Sequence, residues 1–202
     1  MSQATTVGQP KGLRERVGQS RLGTALVLAV TAAVVMVGTY LVDRPAATQS
    51  GVSAVELGAS NAPAPKVGSP AHDFTATTVD GKTVSLSSFK GHAVWLTFGA
   101  SWCSPCQAEA PDIEAAFKRH SAEGVVVLGI AREEASKALD FGQRVGLTYP
   151  QIADTNSSIS DAYRVDGIPA HYFIDKSGIL RAIRPGGLSP DQMDAALKEI
   201  NR

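Results

Sequence analysis

The spacing of apolar and polar positions divides the chain into three stretches. Residues 22–42 (LGTALVLAVTAAVVMVGTYLV) form 21 consecutive positions without a charge. As a helix at ~1.5 Å per residue they would cover roughly 32 Å, enough to cross a hydrocarbon core. Residues 43–66 are rich in Ala, Ser, Pro and Gly, with Pro45, Pro63 and Pro65. They read as a flexible linker, too poor in large apolar residues to bury a core.

From Val67 onward the pattern is that of a folded domain. Residues 74–79 and 82–86 flank Asp80-Gly81 and predict a β-hairpin. Residues 87–91 predict one helical turn or a loop, and 93–98 (AVWLTF) a buried strand. A helical pattern runs from Gln107 to about Ser121. Residues 124–131 (GVVVLGIA) form a continuous apolar run, as in a strand covered on both faces. Residues 133–145 predict a helix with Ala135, Leu139 and Phe141/Gly142 inward, and 156–163 a shorter helical piece. Residues 170–175 and 179–184, joined by Lys176-Ser177-Gly178, predict a second hairpin. Ser189-Pro190-Asp191 is a helix start, a capping residue followed by Pro, and Met193, Ala196, Leu197 and Ile200 fall on one side of the final helix. The order β-β-(β-α)-(β-α)-α-β-β-α describes an α/β sandwich with a mixed sheet. No internal repeat and no second domain is found.

Charge changes the picture at the N-terminus only. The chain is neutral overall, but residues 1–21 carry Lys11, Arg14, Arg16 and Arg21 against Glu15 alone. A basic tail before an apolar span keeps the tail in the cytoplasm and exports the chain beyond the span. Residues 1–21 therefore read as a cytoplasmic tail, 22–42 as a signal-anchor helix, 43–66 as the linker and 67–202 as the domain. A cleaved signal peptide is the competing reading, although the apolar run exceeds the usual ~7–15-residue signal core. In both cases the cysteines work outside the cytoplasm, where disulfides persist. Residues 67–202 show no basic stripe, which argues against nucleic-acid binding.

The chemistry concentrates in residues 99–106, GASWCSPC, which hold both cysteines, Cys103 and Cys106. A Cys-x-x-Cys between a strand and a helix reads as a redox dithiol. The unpaired N–H groups and positive dipole end of the helix favour a thiolate on the first cysteine. The second lies one turn in, within reach of a mixed disulfide on the first. Pro105 stiffens the turn between them.

Trp102-Cys103-Ser104-Pro105-Cys106, Pro111 and Gly167-Ile168-Pro169 before a strand together resemble the thioredoxin superfamily. Val67-Gly68, Pro70, Asp73-Phe74, Asp80-Gly81-Lys82, Leu86, Phe89 and Gly91 resemble the entry sequence of its TlpA/ResA/DsbE-like branch, membrane-anchored thiol–disulfide oxidoreductases with an AhpC/TSA–Redoxin-type domain. The resemblance covers residues 66–202. It implies a thioredoxin-like α/β/α sandwich with a central mixed sheet and an added N-terminal β-hairpin. It implies Cys103 as nucleophile, Cys106 as resolving thiol, and Pro169 as a cis-proline beside them. The Ile168 backbone would pair with an extended substrate segment, and Trp102 and Pro105 would belong to the docking face. Glu109, three residues past Cys106, would lie near the dithiol and take a proton; its alternative is a helix-surface carboxylate. Thr97 occupies the position of the buried aspartate of cytosolic thioredoxins and cannot accept a proton. Pro111 would kink the helix.

The same resemblance implies no cofactor beyond the redox-active Cys103–Cys106 disulfide, and no metal. Implied partners are exported protein thiols and disulfides, with a membrane electron donor of the CcdA/DsbD type. A reductant, acting for example in cytochrome c maturation, is preferred over a disulfide-forming oxidant. A peroxiredoxin-like peroxidase would need a Thr where Ala100 stands, and a zinc module would need two further ligands. Trp95 reads as core. His72, His92 and His120 read as solvated, and His171 as either near the substrate groove or on a strand surface.

Overall fold

The computed structural model describes residues Arg21–Val42, Glu56–Leu57 and 63–202. The expected tail over 1–20 and the linker positions 43–55 and 58–62 lie outside the described residues. Contacts divide the chain into two units, Met1–Ser50 and Gly51–Arg202.

The described part of the first unit is helix α1, Arg21–Val42. Leu26, Val30, Val34 and Val37 on it are exposed. Its side chains are described only over residues 25–37, about 20 Å of helix at ~1.5 Å per residue. Among the described residues, no helix is long and apolar enough to cross a membrane.

In the second unit, β4 (Val94–Gly99) is the middle of a five-stranded sheet. It pairs in parallel with β5 (Val126–Ala131) and antiparallel with β7 (Ala170–Ile174). β6 (Gln151–Ala153) lies outside β5, and β8 (Leu180–Pro185) outside β7. The sheet is mixed, as expected. A separate three-stranded sheet joins β1 (Glu56–Leu57), β2 (Phe74–Thr77) and β3 (Thr83–Ser85). The expected N-terminal hairpin is thus present as β2–β3, and β1 adds a strand from within the stretch read as linker. Leu86–Phe89 forms the expected short turn, a 3-10 helix.

Alternation along the strands decides what each sheet face meets. Val94, Leu96 and Phe98 of β4 point to one side with Leu128, Ile130, Ile152, Tyr172 and Ile174. They pack with Phe74 and Ala76 of β2 and with Ile159 and Tyr163 at α4 (Ser158–Ala162). Trp95, Val127 and Phe173 point the other way. They meet Ile113 and Ala116 of α2 (Ser104–His120) and Met193, Leu197 and Ile200 of α5 (Pro190–Ile200). Trp95 has no exposed surface and stacks on Phe173 at 5.3 Å between ring centres. At ~25 cal/mol per Å² and about 200 Å² for a buried aromatic, it stabilises the fold by roughly 5 kcal/mol before entropy. Ser189 caps α5 as its sequence predicts, and the structure adds a reciprocal capping box with Gln192.

Several expectations need correction. β6 is absent from the expected order, because a three-residue edge strand has too short a pattern to stand out. The buried face of α3 (Ala135–Val145) is centred on Ala138 and Gly142, with Ala135, Leu139 and Phe141 half-buried. α2 begins at Ser104 rather than Gln107. His120 is buried, with Nε2 3.1 Å from Asp194 and Nδ1 3.3 Å from Glu123, because α5 packs over the end of α2. His171 has no exposed surface, since it lies in the second-innermost strand.

Candidate active site

β4 ends at Gly99, and the chain turns through Ala100, Ser101 and Trp102 into α2. Gly99 lies directly against the second cysteine: a Cβ there would stand in van der Waals contact with it, 3.4 Å from Cys106 Cβ and 3.5 Å from its sulfur. The loop is held from the segment just after β5. Ser101 donates its N–H to Glu133 Oε1 at 2.7 Å and its hydroxyl to Oε2 at 2.6 Å. Gln107 donates to the Ser101 carbonyl from the other side.

Cys103 is the N-cap of α2, and the Cys106 N–H donates to its sulfur at 3.3 Å. The two cysteines are joined in a disulfide with Sγ atoms 2.09 Å apart. In the reduced protein the same helix end offers the Cys103 thiolate this N–H and the positive end of the dipole. Lys118, Arg119 and His120 occupy the opposite end of the helix. Both cysteines are buried, at 6% and 7% exposure, whereas Trp102 beside them is 65% exposed. Pro105 is exposed in the first turn. The Ile168–Pro169 bond is cis. The Ile168 carbonyl oxygen lies 3.8 Å from Cys103 Sγ, and Ile168 packs against the apolar group of Ala100, Cys103 and Cys106.

Glu109 is not on the helix surface. It is 5% exposed and lines a cavity of about 40 Å³ with Cys106, Thr97, Glu133, Gln151 and Pro169. That volume has room for about two waters. Glu109 Oε1 accepts the Leu188 N–H at 2.7 Å and lies 3.3 Å from His171 Nε2, while Oε2 is buried without a hydrogen-bond partner. Tyr149, on the same cavity, has its phenol pushed far above the ordinary range by burial, with the charges of Glu114 and Glu109 adding to it, so it stays neutral.

The structure therefore brings Cys103, Cys106, Glu109, Pro105, Trp102, Ile168 and Pro169 to one end of the sheet. Two roles at this end are not legible in the sequence. Glu133 is an ordinary acidic residue at a predicted helix start, and only the fold aims it at Ser101. His171 reads as a groove or strand-surface residue, and nothing in the strand pattern announces its contact with Glu109. Among the described residues, no group of His, Cys, Asp and Glu is arranged to hold a metal ion.

Residues 67–183 match the AhpC/TSA family. The chain belongs to that family. It is 32% identical over 135 residues to the thiol–disulfide oxidoreductase ResA of Geobacillus kaustophilus, covering 66% of this chain and 78% of that one. A thiol:disulfide interchange protein of the thioredoxin family from Chlorobium tepidum shares 31% identity with a TM-score of 0.61, covering 70% of this chain and all of that one. A secreted Mycobacterium tuberculosis disulfide oxidoreductase, homologous to E. coli DsbE, shares 26% identity with a TM-score of 0.58, covering 62% and 95%. The fold is thioredoxin-like, and with its Cys103–Cys106 pair this chain is a thiol–disulfide oxidoreductase of the ResA/DsbE type.

Proposed function

We propose that this oxidoreductase works outside the cytoplasm as a reductant of exported proteins. The observation that carries the chemistry is a cysteine pair at a helix N-terminus of which Cys106 shares a cavity with the buried carboxyl of Glu109. The Cys103 thiolate attacks a client disulfide, forming a mixed disulfide and releasing one client thiolate. Cys106 then loses its proton to Glu109, directly or through water in the cavity, and attacks Cys103 Sγ. This closes the Cys103–Cys106 disulfide, and the second client sulfur leaves with its electron pair. The client gains two electrons and the enzyme loses two, which a membrane donor of the CcdA/DsbD type restores. Trp102, Pro105 and the backbone at Ile168 form the face on which an extended client segment docks, with Pro169 shaping it.

The exported location is supported by the basic residues up to Arg21, the 21 uncharged positions that follow in the helix, and the exposure of its described apolar side chains. In this reading residues 22–42 anchor the chain, the domain faces outward, and apocytochrome c is one fitting client. Equilibration with glutathione buffers tests the direction. A Cys103–Cys106 potential near about −270 mV supports a reductant, and one near about −120 mV supports an oxidant. Cys103→Ala should abolish acceleration of insulin reduction by dithiothreitol. Glu109→Gln should shift the pH dependence of exchange, and an unchanged profile would remove Glu109 from the mechanism.

A further inference from the structure

The exchange chemistry makes no use of His171, yet this side chain lies in the middle of the sheet against the face that holds Glu109. It opposes Thr97 of β4 in register and has no exposed surface. Its two ring nitrogens meet different partners. Nδ1 accepts a hydrogen bond from the Trp95 indole N–H at 3.3 Å. An indole nitrogen can only donate, so Nδ1 is bare and the ring proton sits on Nε2. That Nε2 lies 3.3 Å from Glu109 Oε1 but is not aligned for a linear hydrogen bond. Both Nε2 and Glu109 Oε2 are buried without a hydrogen-bond partner. Unpaired buried polar atoms are rare in folded proteins. Here one is a donor, the other an acceptor, on residues already in contact.

We infer that His171 is a positioning residue: a neutral Nε2–H donor, locked by Trp95, that holds Glu109 as the carboxylate awaiting the Cys106 proton. The inference rests on the reading of Glu109 as the base for Cys106. The donors around Glu109 explain the effect. The Leu188 N–H and His171 Nε2–H both favour the ionised carboxylate, and neither can accept a hydrogen bond from a protonated one. A proton taken from Cys106 therefore finds no acceptor on either group and is passed on to the client thiolate that leaves as the disulfide closes, rather than kept. The other titratable groups facing Glu109 across the cavity are Cys106 of α2, Tyr149 ahead of β6, and Glu133 between β5 and α3. Tyr149 is neutral, and the Glu133 carboxylate is engaged by Ser101. His171 is thus the side chain beside Glu109 that donates from a fixed ring.

Nitrogen-15 NMR of the ring and carbon-13 NMR of the Glu109 carboxyl in the reduced full-length chain test this. The wild type should show His171 with a bare Nδ1 and a protonated Nε2; an Nδ1-protonated ring or an imidazolium overturns the inference without any variant. In His171→Leu, the Glu109 carboxyl should titrate at higher pH than in the wild type. The midpoint of the pH–rate profile for exchange should follow by about one unit, a tenfold lower rate below the midpoint. His171→Gln, which keeps an N–H donor, should return the midpoint toward the wild type. An unchanged Glu109 titration in folded His171→Leu overturns the inference. A shifted titration with an unmoved rate profile supports the pairing of His171 with Glu109 and instead overturns Glu109 as the base for Cys106.

Discussion

Glu133 is a test of whether the active-site loop is held by two charge-assisted hydrogen bonds. Glu133 is 8% exposed, and its carboxylate accepts both the N–H and the hydroxyl of Ser101, two residues ahead of Cys103. A hydrogen bond to a charged group stabilises by about 1.5–3 kcal/mol net, so the pair contributes roughly 3–6 kcal/mol. Removing the carboxylate also removes its desolvation cost, which leaves about 2–3 kcal/mol as the expected loss in Glu133→Ala. For the 140 residues 63–202, an unfolding entropy of about 0.3 kcal/mol/K turns that into a fall in Tm of about 7–10 °C. Glu133→Gln is the informative partner. Its amide oxygen can accept the Ser101 N–H, and its NH₂ can donate to a Ser101 hydroxyl that has rotated. The geometry survives and the charge is lost, at about 1 kcal/mol. Urea and thermal unfolding of the oxidised chain should rank wild type above Gln above Ala, and exchange of the Ser101 amide with solvent should quicken in Ala. An alanine variant within about 0.5 kcal/mol of the wild type, or a glutamine variant as damaged as the alanine one, would refute this account of the loop.

Asp194 predicts a pH effect with a defined sign. The Arg119 guanidinium, with lesser help from His120, holds its carboxyl below the ordinary value of 3.8 against the opposing effect of burial, which is second in size to the Arg119 hydrogen bond. A carboxylate depressed in the folded state contributes stability above its unfolded value, and that contribution disappears as pH falls through the folded value. Asp194→Asn should therefore cost about 1 kcal/mol at pH 7, discounted for partial solvent screening. The gap from the wild type should close as unfolding is measured below pH 3.8; a gap constant across that range would assign the loss to packing. For the exchange step, Cys106→Ser should stall the reaction at the mixed disulfide. A covalent client adduct on Cys103 should accumulate on non-reducing gels and vanish in Cys103→Ala. Adduct that forms in Cys103→Ala, where Cys106 is the only sulfhydryl left, would make Cys106 the attacking sulfur.

What the amino-acid order determined alone are the features that are local in the chain. The apolar runs of β4 and β5, the Ser-Pro cap of α5 and the strand–CxxC–helix passage each announce themselves through spacing and capping chemistry within a few residues. Cys103, Cys106 and Pro169 could be assigned their places because the motifs around them are short and specific. What only tertiary structure decided are pairings between distant residues. β6 exists because β5 offers it an edge, and β1 because β2 does. His120 is buried because α5 brings Asp194 onto the end of α2. Glu109 and His171 are 62 positions apart, and each is one polar residue in an otherwise ordinary pattern. Their meeting follows from the antiparallel register of β4 and β7, which turns His171 toward the face where α2 lies. A chain carries periodicity and caps in its local order, but which buried donor faces which carboxylate is settled only when strand register and helix packing close around them.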